Sequence, residues 1–526
     1  PGMSSRGMGG MGMFGDPNAP KHMASPQEIA DWIEEIANDA LEYRGLGFDV
    51  VEITPIGDVS AAANTRTDRY GGSLENRCRA TTEMLAKIRE LCGPHFLISM
   101  QVTSEFDPEW VEMLKLWDEY VDIYHVRPPR SYGEHPSTYI FPEDTPPALA
   151  GTRKLKEAGI TAVVGAACGF QDPDVIEKAI ADGCCDMVFM ARTYNCDPDY
   201  LEKIIEERAE DITPCLRCDS CHSAICAVNP IFGLENVYDD MFKPSKGGKN
   251  VAVIGGGPAG LRAAIVCAQR GHHVTVFEKT DKLGGQALHA DYVYGKWGIK
   301  RFKDWEILQC QKLGVEFMMN TEATPEMIEE GNFNAVIAAT GAVPQRLDIP
   351  GGAEALHPIE VFGKEAELGH KVVIVGGTMT AMECGMYLFD AGHEVVVITR
   401  STMGSNIGGH DAPMTLRALK EKYAGIKEID HAQIVSVTDG KAVYEKDGQT
   451  FEETYDSVVV NGGVRPCVAE AETFFGTAPE FYVVGDAQIT RAHGMQSQQL
   501  LDKPDEYIKG NMRYANFSAF MAASNI

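Results

Sequence analysis

With 526 residues, the chain is long enough for three or four domains with cores of their own. It carries 47 basic against 76 acidic residues, a formal charge of −29. With no basic stripe to neutralise phosphates, this argues against nucleic-acid binding and leaves solubility as the plain reading of the acidity.

The start, residues 1–24, is rich in glycine and methionine and lacks a basic region followed by an apolar one, so it does not read as a signal peptide. It is expected to be an arm or a loop under a partner. No apolar run is long enough to cross a bilayer. Cys168, Cys184, Cys185, Cys267 and Cys384 sit among apolar residues, as reduced core thiols do, so a soluble protein in the reducing cytoplasm is expected.

From Ser25 the pattern is regular. Ser25, Pro26 and Glu28 signal a helix start, and the helix runs to about Arg44. Strand Phe48–Ile53 follows. Helix 73–92 then precedes strand Phe96–Val102, helix 109–117 precedes Val121–Val126, helix 147–158 precedes Thr161–Ala166, and helix 173–182 precedes Asp186–Ala191. This βα alternation predicts a parallel sheet in an α/β fold, with the site at the strand ends. Five strands are read where a (β/α)8 barrel needs eight. Either three lie upstream of Pro1, or another chain supplies them, or the sheet is open; the first is favoured because exposed barrel edges would aggregate. The loop after the third strand, Arg127 to His135, is long and polar. Tyr132 and His135 are the candidates there for giving a proton to a substrate carbon, and Arg127 and Arg130 for binding an anionic group.

Cys215, Cys218, Cys221 and Cys226 place four thiols within twelve residues, followed by Asn229-Pro230. Such spacing turns the sulfurs toward one soft metal centre. A [4Fe-4S] cluster is favoured over zinc, whose ligands come as pairs from separated segments, and over two disulfides.

Asn250–Gly260 runs from an apolar strand through Gly255, Gly257, Pro258, Ala259 and Gly260 into a helix, and the next strand ends at Glu278-Lys279. Strand, turn, helix and an acid eighteen residues past Gly260 predict a dinucleotide site: the helix start receives the pyrophosphate, and Glu278 accepts from ribose. Gly284-Gly285-Gln286, Ala339-Thr340-Gly341 and Gly485-Asp486 resemble the FAD motifs of flavoprotein reductases with two dinucleotide domains. By that resemblance Asp486 holds the ribityl or phosphate side of FAD. A second copy of the pattern carries Gly376 and Gly377, with Thr378 and Ala381 where glycines are usual, and ends its strand at Thr399-Arg400. Arginine without the acid favours NADPH slightly over NADH, although the lost glycines crowd the pyrophosphate.

Asn64–Arg77, with its Arg-Thr-Asp-Arg-Tyr-Gly-Gly-Ser core, the stretch Asp186–Arg192 and the cysteine run resemble the Old Yellow Enzyme-related family of 2,4-dienoyl-CoA reductase and trimethylamine dehydrogenase. The resemblance runs from about Ser25 to Ala487. It implies FMN at the barrel mouth beside an iron–sulfur cluster, its phosphate held by Ala167, Cys168, Gly169, Ala191 and Arg192. Two departures stand out. The loop Glu52–Asn64 lacks the family's His/Tyr pair, and Gln101 stands where an arginine faces the flavin.

The expected order is an N-terminal segment, 1–24; a partial barrel, 25–210; a cluster segment, 211–248; an FAD domain, 249–348 with 454–490; an NAD(P)H domain, 349–453; and a helical tail, 491–526, packed on a partner or the barrel. The expected activity passes electrons from NAD(P)H through FAD, [4Fe-4S] and FMN to an activated C=C of a small molecule, in a homo-oligomer without nucleic-acid or membrane partners. The alternatives are an amine dehydrogenase or demethylase running electrons outward, and a non-catalytic electron-transfer subunit with a degenerate barrel.

Overall fold

The computed structural model describes residues 23–57, 59–128, 146–218, 220–223, 226–238, 243–245, 247–404, 412–488 and 512–526. The chain divides between Ala191 and Arg192 into two units.

In the first unit, α1 (Pro26–Gly45) opens on a full capping box, Ser25 accepting from the Glu28 N–H while Glu28 accepts from the Ser25 N–H. Strands β1 (Val50–Ile53), β2 (Leu97–Thr103), β3 (Ile123–Arg127), β4 (Val163–Ala167) and β5 (Met187–Phe189) form one parallel sheet in sequence order. They alternate with α2 (Leu74–Cys92), α3 (Trp110–Trp117), α4 (Leu149–Glu157) and α5 (Pro173–Ala181). The five predicted strands are thus the observed ones, in the order a barrel requires. The first and last are shorter than expected: Phe48 lies exposed before β1, and β5 stops at Phe189, before Ala191.

Period-two alternation divides the sheet's faces. Ile98, Met100 and Val102 join a core with Met84, Leu85 and Ile88 of α2. Ser99 and Gln101 fall on the other face. The family-signature stretch turns out to be a self-bonded turn. Asn64 Nδ2 donates to the Tyr70 carbonyl, and Arg66 reaches Asp68 and the Ala24 carbonyl. Buried Arg77 donates to the Val59 and Gly72 carbonyls and pairs with Glu109.

The second unit begins with short helices α6 (Arg192–Cys196), α7 (Tyr200–Ile205) and α8 (Glu235–Tyr238). Its first nucleotide sheet uses β6 (Asn250–Ile254), β7 (His273–Phe277), β8 (Glu316–Met318), β9 (Ala335–Ala338) and β19 (Glu480–Val483), in the order β19-β9-β6-β7-β8. Helices α9 (Pro258–Gln269) and α10 (Trp297–Lys312) accompany it. The second sheet has β11 (Lys371–Val375), β12 (Glu394–Ile398), β13 (Lys427–Ile429) and β17 (Ser457–Val460), in the order β13-β12-β11-β17. An antiparallel sheet of β14 (Gln433–Thr438), β15 (Lys441–Lys446) and β16 (Gln449–Thr454) adjoins it in sequence, and β10 (Ala342–Pro344) pairs with β18 (Val464–Pro466).

Two sequence expectations are corrected here. Strand β17 lies in 454–490, assigned to the FAD domain, yet it pairs with β11 in the nicotinamide sheet, so that boundary falls after Val460. The tail was expected on a partner or the barrel. Its described part, the helix Met512–Ser524, instead buries Ala519, Phe520 and Ala523 in one core with Leu261 and Ile265 of α9, and Lys249 Nζ donates to the Ile526 carbonyl. The apolar stripe of that helix is what binds it to the FAD sheet's own layer.

Glu306 of α10 is fully buried, 3.4 Å from Arg262 of α9, and neither carboxyl oxygen has a hydrogen-bond partner. Burial pushes its carboxyl up to about 8, against the pull of Arg262. The folded state therefore keeps a proton that the unfolded chain releases near 4.5, so this group costs stability as pH rises from about 4.5 to about 8. Glu306→Gln is expected to flatten that slope in denaturant titrations between pH 5 and pH 9. An unchanged slope would show that the carboxylate is already ionised in the fold.

Candidate functional site

Three constellations emerge, one in the first unit and two in the second. On β1, β2 and β3, near the C-terminal strand ends where α/β sites lie, Glu52 accepts from His125 Nδ1 at 2.7 Å, from Ser99 Oγ at 3.3 Å and from Gln101 Nε2 at 3.4 Å. The His125 bond chiefly holds the Glu52 carboxyl below its usual value, against partial burial. His125 stacks on Phe189 of β5, with ring centroids 3.9 Å apart. Glycine at 165 on the intervening strand makes this possible, since a Cβ there would lie 2.3 Å from the Phe189 ring.

Gln101, expected against the flavin, thus belongs to a Glu52–His125 cluster that the sequence reading did not single out. The missed signal was polar side chains at alternate positions on otherwise apolar neighbouring strands. Ala167 ends β4; Cys168 (φ 72°) and Gly169 (φ 91°) follow in left-handed backbone. For a cysteine that conformation is uncommon and marks a specialised turn. Cys168 is half-exposed, unlike the core thiol expected, whereas Cys184, Cys185, Cys267 and Cys384 are buried as predicted. Ala191 follows β5. Arg127 ends β3. Tyr132, His135 and Arg130 lie outside the described residues.

In the second unit a small cavity is lined by Cys215, Cys218, Cys221 and Cys226 together with Arg192 and Cys196. Cys215, Cys226 and Cys196 are buried, while Cys218 is exposed. The Arg217 N–H donates to Cys215 Sγ at 3.3 Å and the Asn229 N–H to Cys226 Sγ at 3.4 Å. Hydrogen bonding with Cys196 lowers the pKa values of Cys215 and Cys226, against burial, and raises that of Cys196. None of the fourteen cysteines is joined in a disulfide. Among the described residues no three His, Cys, Asp or Glu side chains are grouped closely enough to hold one metal ion. Cys196 was not foreseen, because it stands nineteen residues before the motif.

The third constellation is the pair of nucleotide turns. Gly255 (φ 112°) leaves β6, and a Cβ on Gly260 would meet the Gly255 carbonyl oxygen at 1.9 Å. Glu278 accepts from the Gly256 N–H at 2.8 Å and, through its other oxygen, from Thr280. Gly257 and Gly285 approach so closely that a Cβ on Gly285 would lie 3.0 Å from the Gly257 Cα. Gly485 (φ 66°) crowds Ala259 in the same way, at 2.8 Å. The turn before Pro258, the Gly284–Gly285 turn and the Gly485–Asp486 turn therefore converge on the start of α9. Burial alone raises the Asp486 carboxyl. Thr340 Oγ1 donates to the Cys467 carbonyl beside Gly341, Gln286 reaches the Ala342 carbonyl, and Lys279 is exposed.

The second turn repeats the first with other side chains. Thr399, at the end of β12, stands beside Gly377 as Glu278 stands beside Gly256: a Cβ on Gly377 would lie 2.2 Å from Thr399 Oγ1. Gly376 is left-handed (φ 127°), buried Ala381 fills the place of Gly260, and Arg400 is exposed. A further contact joins the two modules. Lys296, at the start of α10, lies 2.8 Å from Glu383 of the helix Met379–Asp390, both nearly buried, and His289 lies 3.8 Å from the same carboxylate.

A parallel sheet of barrel order, followed by two nucleotide turns of the flavoprotein type, defines a flavin-dependent oxidoreductase. The NADH:flavin oxidoreductase / NADH oxidase family matches residues 9–211, and the pyridine nucleotide-disulphide oxidoreductase family matches residues 249–488. Together the two matches fit a flavin oxidoreductase of the 2,4-dienoyl-CoA reductase and trimethylamine dehydrogenase type, an enzyme using flavins and NAD(P)H. It is 28% identical to cinnamate reductase of Clostridium sporogenes over 95% of this chain and 78% of that protein. It is 26% identical to N,N-dimethylglycine/sarcosine dehydrogenase of Chromohalobacter salexigens, over 91% and 75%. A solved 2-naphthoyl-CoA reductase in complex with 2-naphthoyl-CoA superposes with a TM-score of 0.85 at 27% identity, covering 96% of this chain and 78% of that one. No described helix is long and apolar enough to cross a membrane.

Proposed function

We propose that the protein is an NAD(P)H-dependent ene-reductase in which electrons pass from NAD(P)H through FAD, a [4Fe-4S] cluster and FMN to an electron-poor C=C of a small molecule. The observation that carries this reading is the single cavity onto which all four motif cysteines open. Four thiols opening on one cavity suit a soft metal centre, and their close spacing in sequence favours a cluster over zinc. Cys215, Cys218, Cys221 and Cys226 are the ligands in this reading, with the Arg217 and Asn229 N–H groups supporting the outer two sulfurs. When bound, the flavins supply hydride chemistry and the cluster supplies one-electron passage between them.

The chain's own groups prepare the remaining sites. Gly255, Gly257, Gly260 and Gly285 leave room for a pyrophosphate at the start of α9. Asp486 has burial without a compensating charge, which suits a carboxylate whose hydroxyl partners belong to the FAD ribityl chain. Ala167, Cys168, Gly169, Ala191 and Arg192 remain the residues assigned to the FMN phosphate, and Tyr132 and His135 those assigned to protonation. The cinnamate and naphthoyl-CoA relatives favour a conjugated acid or thioester as substrate.

Anaerobic turnover of NADPH with a panel of enoates and enoyl thioesters tests the reading. The dimethylglycine-oxidising relative supports running the barrel outward instead, and flavin bleaching by tertiary amines without enoate turnover would establish that direction. Arg400, exposed after β12, is assigned to the NADPH 2′-phosphate. Arg400→Ala is expected to raise the KM for NADPH about tenfold, the loss of roughly 1.4 kcal/mol, with little effect on NADH. Equal effects on both nucleotides would remove that assignment.

A further inference from the structure

The cysteine motif supplies four thiols, yet five face one cavity. Cys196 is the extra one, at the end of α6 and buried. Its sulfur lies 3.7 Å from Cys226 Sγ, a contact in which either atom could donate, and it also bonds to Cys215. Ligation removes that ambiguity. A cysteine bound to iron is a thiolate and can only accept, so the proton between the sulfurs must sit on Cys196.

Local structure holds Cys196 in place from both sides. Before it, the Asn195 carbonyl accepts from Asn229 Nδ2 at 3.0 Å, and the Asn229 N–H itself bonds the Cys226 sulfur. After it, buried Asp197 accepts from the Thr213 N–H at 2.7 Å and pairs with Lys203 at 2.6 Å. Thr213 leads into Cys215, and Asn229 follows Cys226. α6 is thereby tied to the chain on entry to the motif and on exit from it, and the thiol between those ties has little freedom to turn away.

We propose that Cys196 is a positioning residue that donates its S–H hydrogen bond to the cluster-ligating sulfur of Cys226, and so sets the potential of the cluster. A donated hydrogen bond draws negative charge from a thiolate ligand and favours the reduced cluster; hydrogen bonds to sulfur are among the main determinants of such potentials. This rests on the cluster assignment made above.

The test uses anaerobically purified full-length protein, with iron and acid-labile sulfide analysis and a redox titration followed by electron paramagnetic resonance. Cys196→Ala is expected to keep iron and sulfide at the parent level and to shift the cluster to lower potential. A tenfold smaller reduced-to-oxidised ratio at fixed potential corresponds to about 59 mV for a one-electron couple. Cys196→Ser, whose hydroxyl still donates, should shift less, and it serves as the comparison should the alanine variant fold poorly. Iron retained with an unmoved midpoint in both variants would overturn the role of Cys196 while leaving the cluster standing. Loss of iron from Cys196→Ala, with iron retained when one motif cysteine is replaced, would make Cys196 a ligand and overturn the proposal. Parent protein without iron would overturn the cluster assignment and this inference together.

Discussion

Replacing Cys226 with alanine is expected to give a protein that retains both flavins but little iron, and whose NADPH-dependent enoate reduction falls at least about a hundredfold. Cys226 is buried, its sulfur accepts from the Asn229 N–H, and it meets Cys196 across the cavity. Removing it takes away one of four assigned ligands and the acceptor that orients the fifth thiol. The glycine turns around α9 lie elsewhere in the second unit's sequence, so NADPH should still reduce FAD when mixed rapidly under nitrogen. Cys310→Ala is the matched control: Cys310 is also buried, but its thiol bonds only to the Leu261 carbonyl of α9. Undiminished enoate turnover in Cys226→Ala would rule out an electron path through this cavity, and iron at parent level would show that Cys226 is not a ligand.

The second large effect is expected from Gly260→Ala. An added methyl carbon would lie 1.9 Å from the carbonyl oxygen of Gly255 and 3.1 Å from its carbonyl carbon. These are backbone atoms, and Gly255 is held in left-handed conformation with its N–H bonded to the Phe277 carbonyl at 2.8 Å. The turn can open only by moving the strand end away from α9, which displaces the N–H groups assigned to the pyrophosphate. FAD affinity is expected to fall about a hundredfold, roughly 2.8 kcal/mol, while FMN content stays unchanged. Extraction and chromatography of the two flavins measures this directly. Gly385→Ala provides the contrast, because a Cβ there clears its nearest neighbour by 3.4 Å. Equal FAD content in both variants would show that the turn does not carry the dinucleotide.

The second nucleotide turn shows how a repeat diverges. Where the first has glycine at 260 packed against its own turn, the second buries Ala381, so its strand-to-helix step accommodates a methyl. Where the first sets Glu278 beside Gly256, the second sets Thr399 beside Gly377. Buried Glu383 and Lys296 then connect the two modules, and removing one partner of such a buried pair commonly costs about 3–5 kcal/mol.

What the sequence determined by itself is what short spacing dictates. The capping box at Ser25, the five βα units, the four-cysteine run and both glycine turns were legible because each is made by residues within about thirty positions, whose periodicity or spacing follows from one helix, one strand or one turn. Tertiary structure alone decided the rest. His125 meets Glu52 across the sheet, Cys196 joins the motif from α6, β17 crosses into the nicotinamide sheet, and the helix Met512–Ser524 docks on α9. In each case the partners are distant in sequence or belong to separate elements, and no local pattern marks them. Strand register and the packing of apolar faces bring them together, so they become visible only once the sheets are assembled.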